Sequence, residues 1–268
     1  MAKLSVNETT TFRWSLEEDA VAYAAAGIPA MGVWRQKLSD FGAGQVVPLL
    51  AEHRLEVSHL FWAGGFTGSD GRSYRESVQD ACDAVQTAAA LKAGSLVVCS
   101  GARAGHTLNH ANRLFKDALG AMVPLAEEHG VTLAIEPMHP GCAADCTFLT
   151  SLDEALRLLD AVASPSLKMV LDTYHLGHET ALVEKIPEIV SRLALVQLGD
   201  AHEPPRGEQN RCRLGEGTLP LGEIVAALKR AGYDGYYDVE LLGEDVESCD
   251  YQSLLEHAKT VYADLVET

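Results

Sequence analysis

The sequence predicts a (β/α)8 TIM barrel forming a single domain over residues 1–268. Three observations predict it. The chain has 268 residues, close to the ~250 typical of such a barrel. One unit recurs along it: a helical stretch, a glycine stop, then a short apolar run. Several of those runs, VTLAIE, LKMVLD and LALVQL, are apolar almost throughout rather than alternating. Such runs suit parallel strands buried on both faces. The other layout for alternating strands and helices is an open doubly wound sheet. The absence of a G-x-G-x-x-G after the first strand weakens it.

The elements follow in order. A first strand at 3–7 leads to a helix over 16–26, opened by Ser15 with Glu18 in the S-x-x-E spacing of a reciprocal cap. Gly27 ends that helix, because glycine accepts the left-handed conformation at little steric cost. Strand 29–34 precedes a helix over 44–53, and strand 56–60 a helix over 74–92 that Ser73 and Glu76 open and Gly94 follows. Strand 95–99 leads to helix 109–129 and its stop at Gly130. Strand 132–136 leads to helix 151–163, opened by Ser151 with Glu154. Strand 167–172 is followed by helix 180–192, strand 193–197 by helix 220–231 before Gly232, and strand 236–240 by helix 250–266. The longest irregular stretches, 61–73, 137–150 and 198–219, fall after strands 3, 5 and 7. In a barrel these are βα loops, on the face where active sites form. The Gly215–Gly217 segment reads as a flexible turn before the seventh helix.

Composition narrows the function. The net charge is −17, a poor match to a phosphate backbone or an anionic membrane, so no nucleic-acid or membrane partner is expected. No apolar run approaches the ~18 residues of a membrane span, and the start lacks the apolar stretch of a secretory signal. The six cysteines, at 82, 99, 142, 146, 212 and 249, form no CxxC pair. Reduced thiols and a cytoplasmic location are the expectation.

Four later strands end in oxygen-bearing side chains: Glu136, Asp172, Gln197 and Glu240. A closed barrel gathers strand ends around one axis, so these four converge at the catalytic face. Three carboxylates brought together repel unless a cation sits among them. One divalent ion is therefore expected, Mg2+ or Mn2+ by the hardness of oxygen ligands, with Zn2+ or Co2+ also compatible. Single carboxylates at strand ends commonly cap helices or pair at the rim. Four at the same place in successive units argue otherwise.

The segments IEPMHP, LDTYH, LVQLGD, RLGEG and AGYDGYYDVEL resemble the xylose isomerase-like TIM barrels over essentially the whole chain. That superfamily holds sugar isomerases, ketose 3-epimerases, inosose-processing enzymes, dehydratases and endonuclease IV. The resemblance places its metal ligands on Glu136, Asp172, Gln197 and Glu240, its substrate-contacting His on His175 and its strand-7 loop Arg on Arg211. Gln197 stands where many ketose epimerases carry His, as in hydroxypyruvate isomerase-like and some dehydratase-like members.

Other residues join as candidates. His139, three residues after Glu136, can serve as acid, base or hydrogen-bonding partner. Arg103, after strand 4, can take an anionic or polyol group, and Trp34, Trp62 and Phe66 can wall a sugar-sized pocket. His106 with His110, and Cys142 with Cys146, are weak metal motifs by themselves. No serine-hydrolase elbow, phosphate loop or HExxH is present.

The expected activity is a metal-dependent isomerisation or epimerisation of a polyhydroxy ketone, inosose or hydroxy-keto acid through an enediolate. Glu136 and Glu240 would move the proton, with His175 acting beside them, and Arg211 would orient the substrate. A lyase uses the same residues and is the alternative. An endonuclease IV-like phosphodiesterase and a non-catalytic sugar-binding subunit are less favoured. Assembly into a homo-oligomer is compatible with all of these.

Overall fold

The eight apolar runs close into one parallel barrel in the order β1-β2-β3-β4-β5-β6-β7-β8. This is a computed structural model, and it describes residues 3–207 and 209–267. The strands are β1 Lys3–Asn7, β2 Ala30–Trp34, β3 Glu56–Gly64, β4 Leu96–Cys99, β5 Leu133–Ile135, β6 Leu167–Asp172, β7 Leu193–Leu198 and β8 Tyr236–Val239. The helices are α1 Leu16–Ala25, α2 Arg35–Phe41, α3 Ala43–His53, α4 Tyr74–Leu91, α5 Leu108–His129 and α6 Leu152–Val162. They continue as α7 Thr173–Leu176, α8 Leu182–Ile189, α9 Leu221–Arg230, α10 Glu244–Glu247 and α11 Tyr251–Glu267.

Local chemistry explains the helix starts. Ser15 and Ser73 accept from the backbones of Glu18 and Glu76, whose carboxylates reach back to the cap backbones. Ser151 closes only half of its box. It accepts from Glu154, but the Glu154 carboxylate takes the Thr150 backbone and hydroxyl instead. Three helices, α2, α7 and α10, had no counterpart in the sequence reading. α2 and α10 follow Trp34 and Gly243, which make no side-chain cap, so no start signal marks them. β3 runs four residues past its expected end. The expected helix over 180–192 is α8 followed by a 3-10 turn at Val190–Arg192. β5 and β8 stop one residue short of Glu136 and Glu240, yet both backbones continue the ladder, to Val98 and Leu198.

The barrel interior has two unlike halves. Val97, Ala134, Val170 and Leu195 form an apolar cluster, and each lies two residues before Cys99, Glu136, Asp172 or Gln197. The period of two along a strand puts each pair on the same inner face, one layer apart. The other half is polar. Ser5 bonds Asp238 at 2.7 Å and Ser58 at 2.6 Å, and Asn7 bonds His59 at 3.2 Å, all fully buried. Gly32 makes room for the His59 ring, since a Cβ there would lie 2.2 Å from it.

Candidate active site

The layer above this filling is a cluster of polar side chains, all but one of them ionisable. Glu136, Asp172, His175, Gln197, Arg211 and Glu240 are all 2% exposed or less. Asp172 and Gln197 are register partners on β6 and β7. α7 begins directly after Asp172 and carries His175 back over the strand end. The His175 Nε2 lies 3.7 Å from Asp172 Oδ2 and 3.9 Å from Glu136 Oε1. Arg211 arrives from the loop after β7. Its Nη2 donates to Asp172 Oδ2 at 2.7 Å and to Glu240 Oε2 at 3.3 Å. Thr9 donates to the other Glu240 oxygen at 3.4 Å.

The electrostatics follow from burial. Burial, with Glu240 and Asp172 nearby, pushes the Glu136 carboxyl well above the usual range. Burial lifts Glu240 to about 7 against the pull of Arg211. Burial lowers His175 to about 3, so its ring is neutral and offers a lone pair. For Arg211, burial works against the charge, and Asp172 and Glu240 more than offset it, so the guanidinium stays protonated.

These residues fit a divalent cation. Glu136, Asp172 and His175 each present a ligand atom within 4.8 Å of the others, the only such group of His, Cys, Asp or Glu among the described residues. His175 Nε2 and both side-chain polar atoms of Gln197 are buried without a hydrogen-bond partner. An unpaired buried polar atom costs about 1–3 kcal/mol, which a cation or a ligand would relieve. Relative to the set read from the sequence, His175 joins the donors and Arg211 stands between Asp172 and Glu240.

Other expected residues divide. Trp34 and Trp62 line a cleft of about 310 Å³ with Phe61, Arg35, Arg72 and Asp80 at the ends of β2 and β3. Arg35 and Arg72 both pair with Asp80. Phe66 is not a pocket wall; it is fully buried and stacked on Phe115. Arg103 is exposed. His139 is half-buried, accepts from the Gly141 backbone, and sits edge-on to His178. His106 and His110 hydrogen-bond Thr67 and Arg113, apart from the cluster.

Cys142 places its Sγ 3.6 Å from His175 Nδ1, and Cys99 its Sγ 3.9 Å from Glu136 Oε2. Sequence reasoning missed Cys99, although it sits in the same inward phase as Val97. It also missed Asp200, which accepts from the Gly215 and Gly217 backbones at 3.0 Å each. The Gly215–Gly217 turn is thus tied down, not flexible: Gly217 has no room for a Cβ beside Asp200.

Two loops meet over the cluster. Gly207 donates to the Gly141 carbonyl at 2.7 Å, joining the loop after β7 to the loop after β5. A cleft of about 690 Å³ lies along this junction, lined by Cys142, Cys146, Gln209, Asn210, Leu242 and Glu244 among others.

The model of the family described as xylose isomerase-like TIM barrel matches residues 20–263. The chain belongs to that family. Among curated relatives, inosose isomerase of Bacillus velezensis is 22% identical over 96% of this chain and 94% of that protein. D-psicose 3-epimerase of Enterocloster bolteae is 33% identical over 111 residues, 41% of this chain and 33% of that protein. Among solved structures, an IolI protein with a bound zinc atom superposes with a TM-score of 0.85 at 20% identity, covering 99% of this chain and 98% of that one. At that identity the likeness is one of fold. No helix among the described residues is long and apolar enough to cross a membrane.

Proposed function

We propose that this family member is a divalent-metal-dependent isomerase or epimerase of a small polyhydroxy ketone, a ketose or an inosose. One observation carries the reading. Glu136, Asp172 and a neutral His175 present ligand atoms within 4.8 Å of one another, and the buried Glu240 and the unpartnered Gln197 amide stand at neighbouring strand ends. The names of the curated relatives support isomerisation or epimerisation over the elimination alternative.

Glu136, Asp172 and His175 would hold the ion, with Gln197 and Glu240 beside them. The imidazole nitrogen widens the choice toward borderline ions such as Zn2+, Mn2+ or Co2+, alongside Mg2+. When bound, the ion supplies positive charge for a substrate carbonyl and its neighbouring hydroxyl. The chain's own residues do the rest. One of Glu136 and Glu240 takes the α-proton and the other returns one, leaving an enediolate between the two steps. Arg211 balances carboxylate charge. Trp34 and Trp62 offer flat apolar walls at the rim, and His139 a donor or acceptor beside the entrance.

The test is solvent exchange in deuterated water over a panel of ketoses, inososes and keto-acids. NMR should show deuterium entering at the carbon next to the carbonyl. Glu136→Gln, with ion occupancy checked in the same sample, should slow exchange by ~10²–10⁴-fold. Turnover with full retention of the original hydrogen would refute the proton-transfer mechanism.

A further inference from the structure

Arg211 is seated as a built component of the cluster. Its guanidinium stacks 4.3 Å from the centre of the Tyr174 ring. The Tyr174 hydroxyl in turn accepts from the Asn210 backbone at 3.0 Å. The Arg211 backbone donates to Leu242 at 2.9 Å, tying the loop after β7 to the end of β8. Gly199 keeps the passage open, because a Cβ there would lie 2.8 Å from Arg211 Nε.

What this seat offers the guanidinium matters more. Asp172 has two oxygens. Oδ1 is committed to the Tyr174 backbone at 2.7 Å. Oδ2 is left, and it is both the Arg211 partner at 2.7 Å and the oxygen 3.7 Å from His175 Nε2. An ion held by Glu136, Asp172 and His175 would meet that same Oδ2, the Asp172 oxygen that faces His175 Nε2. Glu240 is in a similar position, with Oε2 on Arg211 and Oε1 facing Thr9. Arginine and ion therefore contest the same lone pairs and neutralise the same charges, and like charges at this range repel.

We propose that Arg211 is an internal counter-ion that competes with the divalent ion for Asp172 and Glu240. It holds the carboxylates together when no ion is bound, gives up part of its contact on loading, and so sets the affinity of the site. This rests on the metal reading above and adds to it: the arginine becomes a determinant of ion binding rather than a substrate clamp alone.

The experiment measures Mn2+ affinity by titration calorimetry on the chelator-stripped full chain, together with melting temperature in chelator and at saturating Mn2+. Arg211→Met should bind Mn2+ at least ~10-fold more tightly than wild type, through loss of a charge within a few ångströms of the ion. It should melt lower than wild type in chelator and gain more on Mn2+ saturation. Arg211→Lys keeps the charge but loses the planar fork, so it should fall between the two. If Arg211→Met does not fold, Arg211→Lys against wild type decides. Affinity equal to or weaker than wild type in the folded variants overturns the competition while leaving the metal reading intact. No Mn2+ binding by wild type or variant overturns both. Neither readout depends on turnover.

Discussion

Replacing Gly141 with alanine tests whether the loops after β5 and β7 hold the candidate site in shape. A Cβ at this position would lie 1.9 Å from the Pro205 carbonyl oxygen, where ordinary contact begins at 3.4 Å. The two nearest obstructing atoms belong to the Pro205 backbone, and of the three only His139 Nδ1, at 3.0 Å, is on a side chain that can swing away. The loops must separate by about 1.5 Å, and the 2.7 Å bond from Gly207 to Gly141 cannot survive that. Losing it costs about 1 kcal/mol, which in a chain of this size lowers the melting temperature by roughly 2–4 °C. The effect on the site is larger. One loop carries Cys142 against His175, and the other carries Arg211 onto Asp172 and Glu240. A displacement near 1 Å at a reacting centre costs ~10²-fold in rate. A readout independent of substrate is also available. Cys142 is 9% exposed, and burial pushes its thiol up to about 11, so it should react slowly with a disulfide reagent. In the alanine variant, Cys142 labelling followed by mass spectrometry should quicken at least ~10-fold while the barrel still melts cooperatively. Wild-type labelling and wild-type melting together would refute the argument. Global unfolding would show that the glycine supports the barrel rather than its lid.

Gly120 is the opposite case: it is exposed within α5, and nothing lies within 4 Å of a Cβ there. Gly120→Ala should stabilise the fold by about 0.5–1 kcal/mol through helix propensity, measured by denaturant unfolding. Asp80 accepts from Arg35 and Arg72, and chiefly the Arg35 hydrogen bond holds its carboxyl below 3.8. A lowered carboxyl contributes stability above its unfolded value and loses it as pH falls through the folded one. Asp80→Asn should therefore cost about 1 kcal/mol at pH 7, discounted because the side chain is one-third exposed. The difference from wild type should close below 3.8 in a pH series of melting curves.

The barrel was legible because its signals are local. Glycine stops, S-x-x-E caps and continuous apolar runs each need only a few neighbouring residues. The convergence of Glu136, Asp172, Gln197 and Glu240 was legible for a related reason: barrel closure converts equal positions in successive units into proximity. What stayed hidden depends on partners far along the chain. The resemblance gives Arg211 a place at the substrate, but its bond to Asp172 joins residues 39 apart along the chain, which no local pattern announces. The resemblance gives His175 a substrate contact, and its spacing from Asp172 says nothing about which way its ring turns, here to within 3.7 Å of Asp172 Oδ2. Asp200 pins the Gly215–Gly217 turn across a loop whose path no periodicity describes. α2 escaped because Trp34 is a cap without capping chemistry.

The divided interior of the barrel makes its two glutamates inequivalent. Beneath Glu136 lie aliphatic side chains, which cannot answer a change of charge. Beneath Glu240 lies Asp238, joined to Ser5 and through it to Ser58, with His59 close by. Hydroxyls and an imidazole can reorient as a proton comes or goes, whereas methyl groups cannot. For the proton transfer proposed above, this would give two different instruments from one residue type. The asymmetry resides a storey below the chemistry, so altering Ala134 or Ser58 would retune the pair without touching either carboxylate.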